Sequence, residues 1–109
     1  MVKPATTDLS FNAQTGTTYS LVAGDLNKLV TLSNASAITL TVPNGVFTAG
    51  QQINVQQIGA GQVTVASDGT TVLTSTGATS TAPKLRAQYS ACTIVCTSSN
   101  NFTVIGDLS

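Results

Sequence analysis

Gln52-Ile53-Asn54-Val55-Gln56-Gln57-Ile58-Gly59-Ala60-Gly61-Gln62-Val63-Thr64-Val65-Ala66 is the stretch on which the choice of fold turns. Ile53 and Val55 alternate with polar residues before the glycines, and Val63 and Val65 do so after them, the period-2 signature of a half-buried strand on each side. Gly59-Ala60-Gly61 supplies the permissive residues of a tight connection. The stretch therefore reads as a β-hairpin with Ile53, Val55, Val63 and Val65 facing inward, and a central hairpin makes the protein antiparallel.

The same alternation continues on both sides. Upstream, Ala37–Val42 places Ile38, Leu40 and Val42 on one face and Thr39 and Thr41 on the other, until Pro43-Asn44-Gly45 stops it. Thr17–Leu21 and Leu29–Leu32 precede it as further strands, separated by Ala23-Gly24-Asp25, where Asp25 is placed to cap one helical turn. Downstream, a short strand at Val72-Leu73 follows Asp68-Gly69, then come Lys84–Gln88, Ala91–Thr97 and Phe102–Ile105, the last two joined across Ser98-Ser99-Asn100-Asn101. Thr74–Pro83 holds no apolar anchor and reads as the most exposed and mobile loop, the first of the loops to reach a partner. About eight short strands between turn signals predict an all-β, antiparallel β-sandwich, jelly-roll-like in connectivity. No exact internal repeat is visible, which argues against a solenoid. Residues 1–15, polar and broken by Pro4, read as an extended N-terminal arm, and residues 16–109 as the sandwich domain.

Composition narrows the function. At 109 residues the chain has room for one core, and 41% hydrophobic residues are enough to fill it. Only 7% of residues are charged, against about 25% in ordinary soluble proteins. Ser, Thr, Asn and Gln supply the polarity instead, and such a surface neither repels its own copies nor attracts polyanions. Four basic and four acidic residues with a pI near 5.8 give no footprint for nucleic acid. No signal-like apolar run opens the chain, and no apolar stretch approaches the roughly 20 residues that span a bilayer, so neither a membrane nor secretion is expected. Cys92 and Cys96 on one strand would lie about 13 Å apart, too far for a disulfide. They read as small core residues of a protein assembled in a reducing cytoplasm.

The chemistry of catalysis is missing from the residue list. Without His or Glu there is no Ser-His-Asp or Cys-His arrangement, and Asp8, Asp25, Asp68 and Asp107 all stand in turns or near a terminus, where Asp is favoured for its local hydrogen bonds. Two cysteines without His cannot complete a zinc site within one chain, so no metal and no cofactor are expected. The reading is of a non-enzyme. Its candidate partner contacts are Lys3, Pro4 and Phe11 in the arm, with Lys84 and Arg86. The last two fall on one face of a strand, opposite Leu85 and Ala87. They are either solvated cations that block unwanted edge pairing or an ionic contact to an acidic neighbour.

Several stretches together carry a resemblance: Tyr19 to Leu32 (Tyr-Ser-Leu-Val-Ala-Gly-Asp-Leu-Asn-Lys-Leu-Val-Thr-Leu), Asn34 to Pro43, Gly50 to Val65, Lys84 to Ala91 (Lys-Leu-Arg-Ala-Gln-Tyr-Ser-Ala) and Val104 to Leu108. In this order they resemble a β module of the virion surface proteins of tailed bacteriophages, cyanophages especially. That module occurs at the ends of tail fibres and as short stand-alone proteins. The resemblance implies a structural or adhesive role and brings no catalytic residues. It leads us to expect a capsid decoration (cement) protein on the virion surface, bound to the major capsid protein as a homo-oligomer, a trimer in preference to a dimer. The alternative is a tail-fibre or baseplate tip that binds a host receptor.

Overall fold

A computed structural model describes residues 9–76 and 79–109. Among the described residues there are nine strands, β1 (Ser10–Gln14), β2 (Thr18–Ser20), β3 (Lys28–Leu32), β4 (Ile38–Val42), β5 (Gln52–Gln57), β6 (Val63–Ser67), β7 (Val72–Ser75), β8 (Ala91–Ser98) and β9 (Asn101–Gly106), and one 3-10 turn at Ala23–Asp25. The protein is all-β, but it is not the antiparallel jelly-roll-like sandwich that the alternation suggested. Its strands form a six-stranded sheet in the order β1-β3-β5-β8-β9-β7 and a three-stranded sheet in the order β2-β4-β6. Within them β1, β3 and β5 run parallel, as do β2, β4 and β6. The chain thus crosses from one sheet to the other at every turn and winds as a β-solenoid.

The expected hairpin is where the two architectures part. β5 and β6 do not pair; they lie in opposite sheets and face each other across the core. Alternation cannot separate these cases, because a hairpin and a strand pair bent into opposing sheets bury the same positions: Ile53, Val55, Val63 and Val65 are fully buried. Gly59 and Gly61 serve a different purpose from the one read. A Cβ on Gly59 would sit 2.6 Å from the backbone N and O of Asn34, and one on Gly61 would run into the Ser36 carbonyl. The two glycines let this corner stack directly on the corner of the coil before it, where the Gly61 amide donates to the Asn34 carbonyl (2.8 Å) and the Ile58 amide to that of Leu32 (2.7 Å).

The repeat overlooked in the sequence is one of register. Leu29 pairs with Asn54 and Ile38 with Val63, an offset of 25 residues in both sheets. Over that offset Val30 meets Val55 and Leu40 meets Val65, all buried, whereas few identities survive.

The C-terminal part departs from the solenoid. β8 adds antiparallel to β5, β9 returns along β8 as a hairpin with a register shift between Cys96 and Ser98, and β7 closes the edge parallel to β9. Asn100 turns the hairpin at φ 59, a conformation Asn tolerates. In place of a strand over 84–88, the chain makes two isolated bridges, Thr64 to Lys84 and Leu85 to Leu108, which extend the smaller sheet beyond β6. One apolar core fills the space between the sheets, with Phe47 edge-on to Phe102 at 6.2 Å.

Candidate interaction surface

Each sheet has an outward face, and the two differ. In the six-stranded sheet the register carries one row of outward residues across five strands: Phe11, Leu29, Asn54, Thr93 and Ile105. Their neighbours in sequence settle which way they point. Asn12 beside Phe11 turns inward to Tyr19 and Asp25, Val30, Val55 and Val104 are buried, and Thr93 donates its hydroxyl to Asn54 Oδ1 at 2.8 Å on the outside. The flanking rows add Ala13, Thr31, Gln56 and Ala91 on one side and Gln52, Val95, Thr103 and Thr74 on the other. None of these positions holds a charge. The two ends of the central row are its apolar members most open to solvent, Phe11 at 69% and Ile105 at 59% exposure. Beside Ile105 a shallow hollow of about 290 Å³ opens between Thr74, Ser75, Thr76, Thr103 and Val104.

The three-stranded sheet shows solvent a row of Thr18, Thr39 and Thr64, continued by Lys84. Here β-branched hydroxyl residues supply strand propensity without apolar exposure.

The named contact residues are thus dispersed. Lys3 and Pro4 lie outside the described residues, as do Gly77 and Ala78 of the expected mobile loop. Phe11 belongs to edge strand β1, on the face of the large sheet. Lys84 and Arg86 are exposed on either side of buried Leu85. Arg86 is held in a two-point pair with Asp107, Nε to Oδ1 at 2.8 Å and a terminal nitrogen to Oδ2 at 2.9 Å, and the Ser90 hydroxyl donates to the same carboxylate. That pair raises the Arg86 pKa and lowers that of Asp107. Asp107 thus neutralises Arg86 within the chain and ties the C-terminal segment to the turn at Ser90.

Sequence reasoning missed Leu29, Asn54, Thr93 and Ile105 as surface residues. The available signal was parity: Ile105 follows Val104 and Leu29 precedes Val30, so one apolar residue of each pair must face out. It also missed Tyr89, a residue 63% exposed that adopts φ 70. The Tyr89 amide donates to the Gln57 carbonyl (2.7 Å) and its carbonyl accepts from Gln56 Nε2 (3.1 Å), which fixes a left-handed residue that costs about 1 kcal/mol outside glycine.

Tyr19, Asp25 and the two cysteines are engaged in structure. The buried Asp25 carboxylate accepts from Asn12 Nδ2 (2.8 Å), the Tyr19 hydroxyl (2.8 Å) and the Val22 amide (3.0 Å). Burial, with the Asp25 hydrogen bond and charge behind it, pushes the Tyr19 pKa up to about 12. The network closes the first coil of the solenoid with polar groups where the later coils have Val and Leu. Cys92 and Cys96 are unbridged and buried, and burial raises both thiols, Cys92 to about 12. Among the described residues no three His, Cys, Asp or Glu side chains gather as metal ligands, and no helix is long and apolar enough to cross a membrane. No protein-family model matches the chain, and no curated protein matches it.

Proposed function

We propose that this protein is a non-enzymatic structural component of a phage virion, a capsid decoration subunit that adheres to the assembled shell and stabilises it. The sequence resemblance suggests the setting, and the low-charge, hydroxyl- and amide-rich outer surface, present on the small sheet as well as the large one, is the observation that carries an adhesive mechanism. A face of amides, hydroxyls and a few large apolar side chains can bury hydrogen-bonding and apolar area against protein without desolvating ions, whose removal from water costs several kcal/mol each. Adhesion then stabilises the shell by linkage, since a ligand of the assembled state favours it over the dissociated one. Attachment of several linked subunits at once raises the local concentration of each contact, so weak individual contacts suffice.

A tail-fibre or baseplate tip is the second reading, favoured by one feature of the fold. The first coil leaves β1 and β2 as edges of their sheets, so a preceding coil could stack there as β3 stacks on β1. Copy number per purified virion, measured by quantitative mass spectrometry against the major capsid protein, separates the two. Near-stoichiometric copies are expected for a decoration subunit; a few to a few tens of copies would move the protein to the tail.

A further inference from the structure

We propose that the outer face of the six-stranded sheet is a self-association surface, on which two copies pack face to face about a two-fold axis along β5. Phe11 of each copy then fills the hollow beside Ile105 of the other.

The row from Phe11 to Ile105 carries the inference. It crosses five paired strands with Asn54 at its middle, so its ends stand about 19 Å apart. A two-fold axis lying in the interface and running along β5 reverses this row onto itself. Phe11 then lies over Ile105 of the second copy, Leu29 over Thr93, and Asn54 over Asn54. The ends match in shape as well as in chemistry, because an exposed ring meets a concave site of about 290 Å³. At the centre two facing carboxamides can exchange Nδ2–H to Oδ1 hydrogen bonds, the Oδ1 keeping its bond from Thr93 on a second lone pair. The axis preserves strand direction, so the sheets meet in the aligned packing that twisted sheets favour.

The match of ring to hollow under one two-fold axis points to a second copy as the occupant, and charge permits it. A two-fold contact brings a surface against itself, and any charge near the axis meets its own sign. The central row and the rows beside it hold no charge, and the Arg86–Asp107 pair next to Ala91 is neutral as a whole, so the contact incurs little such repulsion. The outward face of the small sheet offers neither the hollow nor a large apolar residue and carries Lys84. The five strands that overlap under this axis, by five residues, give about 24 × 17 Å, on the order of 400 Å² of flat area per copy. At about 800 Å² for both copies that lies below the standard size of specific interfaces and in the class of weak, transient contacts, so the dimer forms reversibly in solution and is reinforced where several subunits are fixed on one surface. The inference rests on the homo-oligomeric part of the proposed function and gives it a two-fold axis and a contact in place of the trimer that the resemblance favoured. Its failure would leave the copy number per virion untouched, so the two can fail separately.

Sedimentation velocity over a concentration series of the full chain tests it. The wild type is expected to pass from monomer to dimer, Phe11→Asp and Ile105→Asp each to weaken association at least tenfold, and Thr39→Asp on the small sheet to leave it unchanged. All three positions are exposed, and circular dichroism checks that each variant folds. Mild oxidation of cysteine variants tests the axis itself. Asn54→Cys alone should cross-link to a covalent dimer, whereas Phe11→Cys should do so only together with Ile105→Cys. A wild type that stays monomeric at every concentration, association indifferent to Phe11 and Ile105, or Phe11→Cys cross-linking alone as readily as Asn54→Cys would overturn the proposal.

Discussion

Residues 28–67 and residues 91–106 contain strands of similar length and the same inward alternation, yet they fix their registers by different means. In the first region neighbours are set by corners lying on corners: Gly59 and Gly61 rest against the backbone of Asn34 and Ser36, and the offset of 25 residues is the same in both sheets. In the second, β8 and β9 are neighbours in sequence and in the sheet, and a turn with Asn100 at φ 59 sets their pairing. The comparison teaches that a glycine-rich connection carries two distinct demands, free dihedral angles or the absence of a side chain. A substitution separates them.

Gly61→Ala is expected to have the largest effect in the molecule. Its Cβ would enter the Ser36 carbonyl and stand 2.6 Å from the Asn34 oxygen, and both obstacles are backbone that cannot rotate away. The penalty should be about 3 kcal/mol or more, among the larger overpacking effects, read as a collapse of the urea midpoint or as insoluble protein. Gly45 gives the opposite case: at φ +71 with nothing near its Cβ, Gly45→Ala meets only the left-handed penalty, about 1 kcal/mol. Equal tolerance of the two alanines would show that corner stacking does not fix the parallel half.

The same contrast explains what the sequence made legible. Ile38, Leu40 and Val42 announced a strand, and Ser98 to Asn101 announced the connection between β8 and β9, because both signals are local. The partner of a strand is not local. Alternation at Ile53 to Val65 reports which side chains are buried, while the sheet each strand joins depends on a corner 25 residues earlier. Conservation of burial without identity hid that repeat, most of all where Leu32 is matched by Gln57. The interaction face was hidden for a related reason. Phe11 was visible as an apolar residue in a polar segment, but its alignment with Leu29, Asn54, Thr93 and Ile105 exists only once parallel and antiparallel pairings combine in one sheet.

Gln57 carries the next largest prediction. It is buried at the position that Leu32 holds one coil earlier, and its Nε2 donates to the Gly59 carbonyl (3.1 Å) while its Oε1 accepts from the Val63 amide (3.0 Å). The side chain thereby braces the very corner that Gly59 and Gly61 form. Gln57→Leu imitates the earlier coil and keeps the volume, but leaves the Val63 amide without that partner inside the core. A loss of about 2 kcal/mol is expected from equilibrium urea unfolding. An unchanged midpoint would mean that the second coil needs no brace of its own.

The smallest effect lies in acid, and it compares the two halves once more. Asp68 joins the turns that follow β4 and β6: its carboxylate accepts from the amides of Thr70 and Thr71 and from the amide and side chain of Asn44. These bonds, those from Thr70 and Thr71 foremost, hold its pKa well below the usual carboxylate range; in the C-terminal half, Arg86 and then Ser90 lower that of Asp107. A depressed folded pKa gives stability that is fully present above the unfolded value near 3.8 and is lost as pH falls toward the folded one. The urea midpoint should therefore be flat from neutral pH to about 5 and decline below about 4. Asp68→Asn should remove more of that decline than Asp107→Asn, because the Asp68 carboxylate binds amides fixed by both coils, whereas Asp107 pairs with a solvent-exposed Arg86 whose ionic contact is screened. If Asp107→Asn flattened the acid limb more, the C-terminal tie rather than the coil-to-coil staple would be the first to open in acid, and the stacked corners would be the sturdier half of the molecule.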